Sequence, residues 1–174
     1  MYLDSSALLK LLVEEAESAA LAAFVAGEAG MRAVSSELAV VEVVRAVRRV
    51  APAAVADARS LVAQLDLVPL SGDVVAQATE VGGPLLRTLD ALHLASALAV
   101  REALSFFVAY DHRLVDAART AGFDVRHPGA SVGGLPTDPG PPGCAERAPV
   151  EGHACADGAL CCGARPRRLR FLSV

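Results

Sequence analysis

The sequence predicts an α/β domain built on a central, mainly parallel sheet with helices on both faces. Three observations carry that expectation. Short apolar runs of strand character alternate with longer runs in which apolar residues recur every three or four positions. The run Phe106, Phe107, Val108 and Ala109 is apolar throughout, as suits a strand covered on both sides. Glycine and proline stand between several runs and stop them. A chain of 174 residues can bury one sizeable core, so a single domain is expected.

The elements follow in order. Tyr2 and Leu3 make a minimal strand ending at Asp4, and Ser5 or Ser6 can cap the helix that carries Leu8, Leu9, Leu11 and Leu12. A second helix is expected over residues 15–27, with Gly27 and Gly30 as stops. Residues 32–35 read as a strand, after which Ser36 caps a long helix through Arg49, with Val40, Val43, Val44 and Val47 at helical spacing. Pro52 suits the first turn of another helix. Residues 65–70 form a strand that ends at Ser71 and Gly72, and Asp73 starts a helix to about Glu80. Gly82, Gly83 and Pro84 break the chain before a helix over 89–103. The apolar strand at 106–110 leads into a helix over 112–121, which Gly122 stops, and residues 123–126 form the last strand.

The periodicity ends near Pro128, which sets a domain at 1–128 and a tail at 129–174. The tail is rich in proline and glycine, and such a stretch buries too little surface to offset its ordering entropy, so it is expected to be disordered. All four cysteines (Cys144, Cys155, Cys161 and Cys162) lie in it, so the domain needs no disulfide frame. With His153 they fit no standard zinc spacing, and the basic run at 165–170 reads as a solvated end.

The formal charge of −4 argues against gripping nucleic acid mainly through a basic surface. It does not argue against a nuclease, because bound divalent cations reverse the local sign of a carboxylate cluster. No signal peptide and no run fit to span a bilayer is visible, so a cytoplasmic protein is expected.

Parallel sheets gather ligands at the carboxyl ends of their strands, and two acids stand at such ends. Asp4 follows the first strand and Asp111 follows the strand at 106–110. Each can equally cap the helix that comes next. Glu42 lies in the valine-rich helix, where it either pairs with Arg45 or faces the site. Asp90 opens the helix over 89–103 among apolar neighbours, with Thr88 as a competing cap, and a carboxylate there needs a partner. His93 and His112 lie near the acids in sequence but are not assigned to the site, since their offsets let them face elsewhere. Four carboxylates together suit Mg²⁺ or Mn²⁺, hard ions that prefer oxygen, rather than Zn²⁺. Such ions can activate water for phosphodiester displacement.

These residues resemble a known family. MYLDSSALLK at positions 1–10 resembles the opening of PIN-domain toxins of the VapC type. SSELAVVEVVR at 35–45, LRTLDALHLA at 86–95 and YDHRL at 110–114 are similar to the three acidic motifs that follow in that family. The resemblance covers residues 1–128. It implies a three-layer α/β/α PIN-like domain and a Mg²⁺- or Mn²⁺-dependent endoribonuclease with Asp4, Glu42, Asp90 and Asp111 as catalytic metal ligands. It also implies an RNA substrate, a cognate VapB-type antitoxin and a homodimer. Ala109 departs from the pattern, since family members often carry Thr or Ser there, and the tail has no counterpart in the compact toxin.

Two alternatives follow from other classes. One is a PIN-like module that binds RNA or protein with little or no cutting, which Ala109 would favour. The other is a phosphohydrolase on a different parallel-sheet fold, which would prefer a second aspartate where Ser6 stands.

Overall fold

The computed structural model describes residues 1–130. The expectations for the tail, apart from Gly129 and Ala130, lie outside the described residues. Five short strands form one sheet: β1 (Tyr2–Leu3), β2 (Val34–Ser36), β3 (Asp66–Val68), β4 (Phe107–Val108) and β5 (Val125–Arg126). Their spatial order is β3-β2-β1-β4-β5, and every neighbouring pair is parallel. The helices are α1 (Ser5–Lys10), α2 (Ser18–Gly27), α3 (Glu37–Val50), α4 (Val55–Val62), α5 (Gly72–Ala78), α6 (Thr88–Ala99) and α7 (His112–Thr120).

The pleat of the two central strands creates the layers, because successive side chains on a strand point to opposite faces. Leu3 of β1 and Val108 of β4 point to one side, where they join Leu8, Leu21, Val43, Val47 and Val62 from α1 to α4. Tyr2 and Phe107 point to the other side and join Leu94, Leu114 and Ala118 from α6 and α7. Their rings stack, with centroids 5.0 Å apart. Val68, Val74 and Ala95 close the sheet's other flank beneath α5 and α6. The result is the expected three-layer α/β/α domain.

Several boundaries differ from the sequence expectation for local reasons. Asp4, not Ser5 or Ser6, caps α1. Helix α2 begins at Ser18 rather than near Glu15, because Lys10 gathers Glu15 and Glu17 into the preceding turn. Pro52 opens a short 3₁₀ turn (Pro52–Ala54) that leads into α4. Ser36 caps α3 as expected, with its hydroxyl accepting from Leu38 N.

One topological fact positions the site. From β1 the chain moves to β2 and β3 on one side, then crosses to β4 on the other. The strand order therefore reverses at the β1–β4 boundary, where an open parallel sheet leaves a crevice at its carboxyl edge. The pairing holds up to that edge, since Asp4 N donates to Val108 O at 3.1 Å.

The packing of α3 generates a stability prediction. Val43 is fully buried beneath α1 and α4, whereas Val41, two residues earlier, is 56% exposed. Val43→Ala should cost about 2 kcal/mol, from two lost methyl groups and the void they leave. Val41→Ala should change stability by less than about 0.5 kcal/mol. Urea denaturation of both variants checks the contrast, and equal losses would refute this placement of α3.

Candidate active site

Asp4 leaves β1 with an extended backbone and caps α1, as one of its two readings required. Its Oδ1 accepts from Ala7 N at 2.9 Å and from Ser6 Oγ at 2.7 Å. The side chain is almost fully buried. Burial pushes its pKa up, and the opposing pull of the neighbouring His93 and of the Ala7 and Ser6 hydrogen bonds does not cancel that rise. Ser6 has a second task. Its hydroxyl accepts from Tyr110 N at 2.9 Å, which ties the end of β1 to the chain just past β4.

Glu42 sits on α3, the helix that follows β2. It forms no ion pair with Arg45. Its Oε2 instead accepts from Ser5 Oγ at 2.5 Å and from His93 Nε2 at 2.8 Å. Burial would raise its pKa, but the hydrogen bonds from His93 and Ser5 outweigh it and hold the carboxyl below its ordinary value.

Asp90 lies in the first turn of α6. Arg87 is the N-cap residue there and offers no side-chain cap, so neither Thr88 nor Asp90 plays that part. Asp90 Oδ2 is buried with no hydrogen-bond partner among the described residues. Its pKa is raised, first by burial and then by the charge of Asp111, against a weaker opposing pull from Arg87.

Asp111 caps α7, with Oδ1 accepting from Arg113 N at 2.9 Å and Leu114 N at 3.3 Å. Its Oδ2 lies 3.9 Å from the exposed guanidinium of Arg87. At both Asp4 and Asp111 capping takes one oxygen, so the capping reading and the site reading are compatible.

The four acids thus fall into two linked halves at one edge of the sheet. Asp4 and Glu42 are joined through adjacent serines and share His93 as a neighbour. Asp90 and Asp111 feel each other's charge and share Arg87. Helix α6 joins the halves, because it carries both Asp90 and His93. Among the described residues, no three or more His, Cys, Asp or Glu side chains are arranged so as to hold a metal ion as they stand. The donor set nevertheless suits a hard divalent cation. It is all carboxylate oxygen, and it includes a buried oxygen with nothing to bind.

His93 is the residue that sequence reasoning left out. It is buried and bonded at both ring nitrogens. The signal lay in the spacing, since residues three apart on a helix share a face and Asp90 was already assigned. His112 begins α7 and makes no contact with the acids in the hydrogen-bond network. Ala109 packs in the core with Tyr2, Phe107 and Leu114.

Comparison with known proteins shows the family and the fold. The profile of the PIN domain matches residues 1–120. Ribonuclease VapC47 of Mycobacterium tuberculosis is 41% identical over 133 residues, which is 75% of this chain and 98% of that protein. Ribonucleases VapC35 and VapC46 of the same organism are 37% and 42% identical over 131 residues, 74% of this chain and 97% of each relative. The crystal structure of Mycobacterium tuberculosis VapC20, described as a sarcin-ricin loop cleaving toxin, superposes with a TM-score of 0.57 at 17% identity. It covers 73% of this chain and 98% of its own, and the likeness is one of fold.

The charge balance at Asp90 generates the next prediction. A carboxyl whose folded-state pKa lies above its ordinary 3.8 weakens the fold once pH rises through the raised value, and costs nothing below the ordinary one. Asp90→Asn should therefore melt at or above the wild-type temperature near neutral pH, with the difference vanishing in acid. Thermal melting followed by circular dichroism checks this. A marked loss of stability at neutral pH would mean that the carboxylate has a structural partner after all.

Proposed function

This chain belongs to the PIN domain family, and we infer that it is an endoribonuclease of the VapC toxin type. We propose that Asp4, Glu42, Asp90 and Asp111 form its catalytic centre. One observation carries the assignment: the buried, unpartnered Asp90 Oδ2, on a carboxyl whose pKa the charge of Asp111 helps to raise. A fold retains such an atom at a cost of about 1–3 kcal/mol, which calls for a function.

The four carboxylates are the residues that would hold Mg²⁺ or Mn²⁺. A divalent ion bound there supplies an acidified water and charge stabilisation for hydrolysis of an RNA phosphodiester. The chain's own contribution is to hold the oxygens. Backbone N–H groups of α1 and α7 fix one oxygen each of Asp4 and Asp111. His93 and Ser5 fix one oxygen of Glu42 and keep that carboxyl ionised. Arg87, exposed beside Asp111, offers a guanidinium to a phosphate at the rim.

Nothing in the relatives favours the alternative of a non-cutting binding module, and the Ala109 methyl on which it rested is buried in the core. A VapB-type antitoxin, which the toxin relatives support, together with a homodimer and a cytoplasmic location, completes the proposal. No helix of the described residues is long and apolar enough to cross a membrane. The domain is proposed to comprise residues 1–128, with 129–174 dispensable.

Incubating the protein with total RNA should give Mg²⁺- or Mn²⁺-dependent cuts, mapped at nucleotide resolution, that disappear in EDTA. Asp90→Asn should lower cleavage at least roughly a hundredfold while the protein stays folded, as does loss of a key electrostatic group at other active sites. Undiminished cleavage in EDTA, or a folded and fully active Asp90→Asn, would overturn the assignment. A chain ending after Ala130 should fold and cut like the full chain, which melting and the same assay decide. Ala130 is a convenient end point, because it keeps Pro128, whose carbonyl accepts from Tyr110 Oη at 2.8 Å, and Gly129, where a side chain would run into Ala20 and Glu17.

A further inference from the structure

Beneath the acids, on the sheet face that packs on α6 and α7, a chain of polar groups runs into the core. Tyr2 Oη lies 2.9 Å from His93 Nδ1, and His93 Nε2 lies 2.8 Å from Glu42 Oε2 and 3.1 Å from Ser5 Oγ. Tyr2 is wholly buried, and its ring is fixed by the stacked Phe107 and by the edge of the His93 ring. The His93 side chain is 3% exposed, whereas that of Glu42 is 25% exposed. The chain thus begins in the rigid centre of the sheet and ends at the solvent-facing edge where the acids stand.

We propose that Tyr2 and His93 are positioning residues, which orient the Glu42 carboxylate from the core so that one oxygen is anchored and the other is offered to the divalent ion. The proposal rests on the reading of Glu42 as a metal ligand. The chemistry of the groups supports the direction of the chain. A carboxylate only accepts, so the proton between His93 and Glu42 sits on Nε2. A ring that carries its proton on Nε2 has a lone pair on Nδ1 for the Tyr2 hydroxyl, 2.9 Å away. With both ring nitrogens engaged, His93 holds a ligand instead of being one. Partners of this kind fix the orientation of metal-binding carboxylates, and their loss costs roughly 10- to 100-fold in metal affinity or activity. A salt-bridge role alone would not explain the burial, since an exposed pair on Arg45 would cost less desolvation.

The test is Mn²⁺ affinity of the full chain, measured by electron paramagnetic resonance, with folding of each variant followed by melting. Glu42→Gln should weaken Mn²⁺ binding at least roughly tenfold, and His93→Leu should weaken it by a similar factor. His93→Gln, which keeps an N–H donor in reach of Glu42, should recover most of that loss. Tyr2→Phe keeps the ring on Phe107 and should weaken binding by a smaller factor in the wild-type background, but by none in the Glu42→Gln background.

Normal Mn²⁺ affinity in Glu42→Gln would remove Glu42 from the metal site and this proposal with it. Weakened binding in Glu42→Gln with wild-type affinity in His93→Leu and Tyr2→Phe would leave the site standing and overturn the positioning role. So would a Tyr2→Phe effect of equal size in both backgrounds, because it would not run through Glu42. If His93→Leu does not fold, the two Tyr2→Phe comparisons decide the matter alone.

Discussion

A carboxylate at the end of the central strand is the constraint from which the rest of the site follows. The strand order places β1 in the middle of the sheet, so Asp4 emerges at the reversal point among packed helices and is almost wholly buried. A buried carboxylate has to be compensated by hydrogen bonds or charge. The chain meets that demand by starting a helix on the spot. The first turn of α1 supplies Ala7 N and Ser6 Oγ to Asp4, and the positive end of a helix favours a negative group beside it. Because Ser6 also receives Tyr110 N, the same hydroxyl fixes the distance between β1 and the segment that delivers Asp111. Because Ser5 is the next residue round the turn, it reaches Glu42 on α3. One capping turn thus sets the relative placement of three acids.

The electrostatics follow a common pattern. Three of the four acids have fixed partners on one side, and the fourth has a buried oxygen with none. Asp4 and Asp111 are held by backbone amides, Glu42 by His93 and Ser5, and Asp90 only by its place on the helix. The two raised acids, Asp4 and Asp90, are the ones for which hydrogen bonds fail to offset burial, and the lowered one, Glu42, is the one with two donors on a single oxygen. Like charges held this near to one another are costly without a cation.

Much of this was legible in the sequence, and the illegible parts have physical reasons. The long helix α3 was readable because Ser36, the valine spacing and its basic last turn all agree. The strands were readable as apolar runs but not in length, since β1, β4 and β5 pair over only two residues each. The start of α2 was obscured because Lys10, with no near counterpart in its own helix, recruits acids that would otherwise suit a first turn. Asp4 and Asp111 stood out because each sits where a strand end meets a helix start, and Asp90 because it opens a helix among apolar neighbours. Glu42 and His93 are a harder case. Their bond joins residues 51 apart in sequence, and on α3 alone Arg45 is the nearer partner for Glu42. Only the packing of α6 against α3 decides between the two.

That packing also explains how an acidic chain can be suited to an acidic substrate. A net charge of −4 gives no long-range attraction for RNA. Local sign matters more than total charge once the phosphate is within a few ångströms, because a divalent ion in a carboxylate cage is the largest charge there. Arg87, 3.9 Å from Asp111 and exposed, carries a planar guanidinium of the kind that suits phosphate. On the proposed reading, acids that add to the chain's negative charge would attract RNA through the ion they hold. The proposed buried network beneath, in which His93 links Tyr2 to Glu42, would hold one of those acids in place.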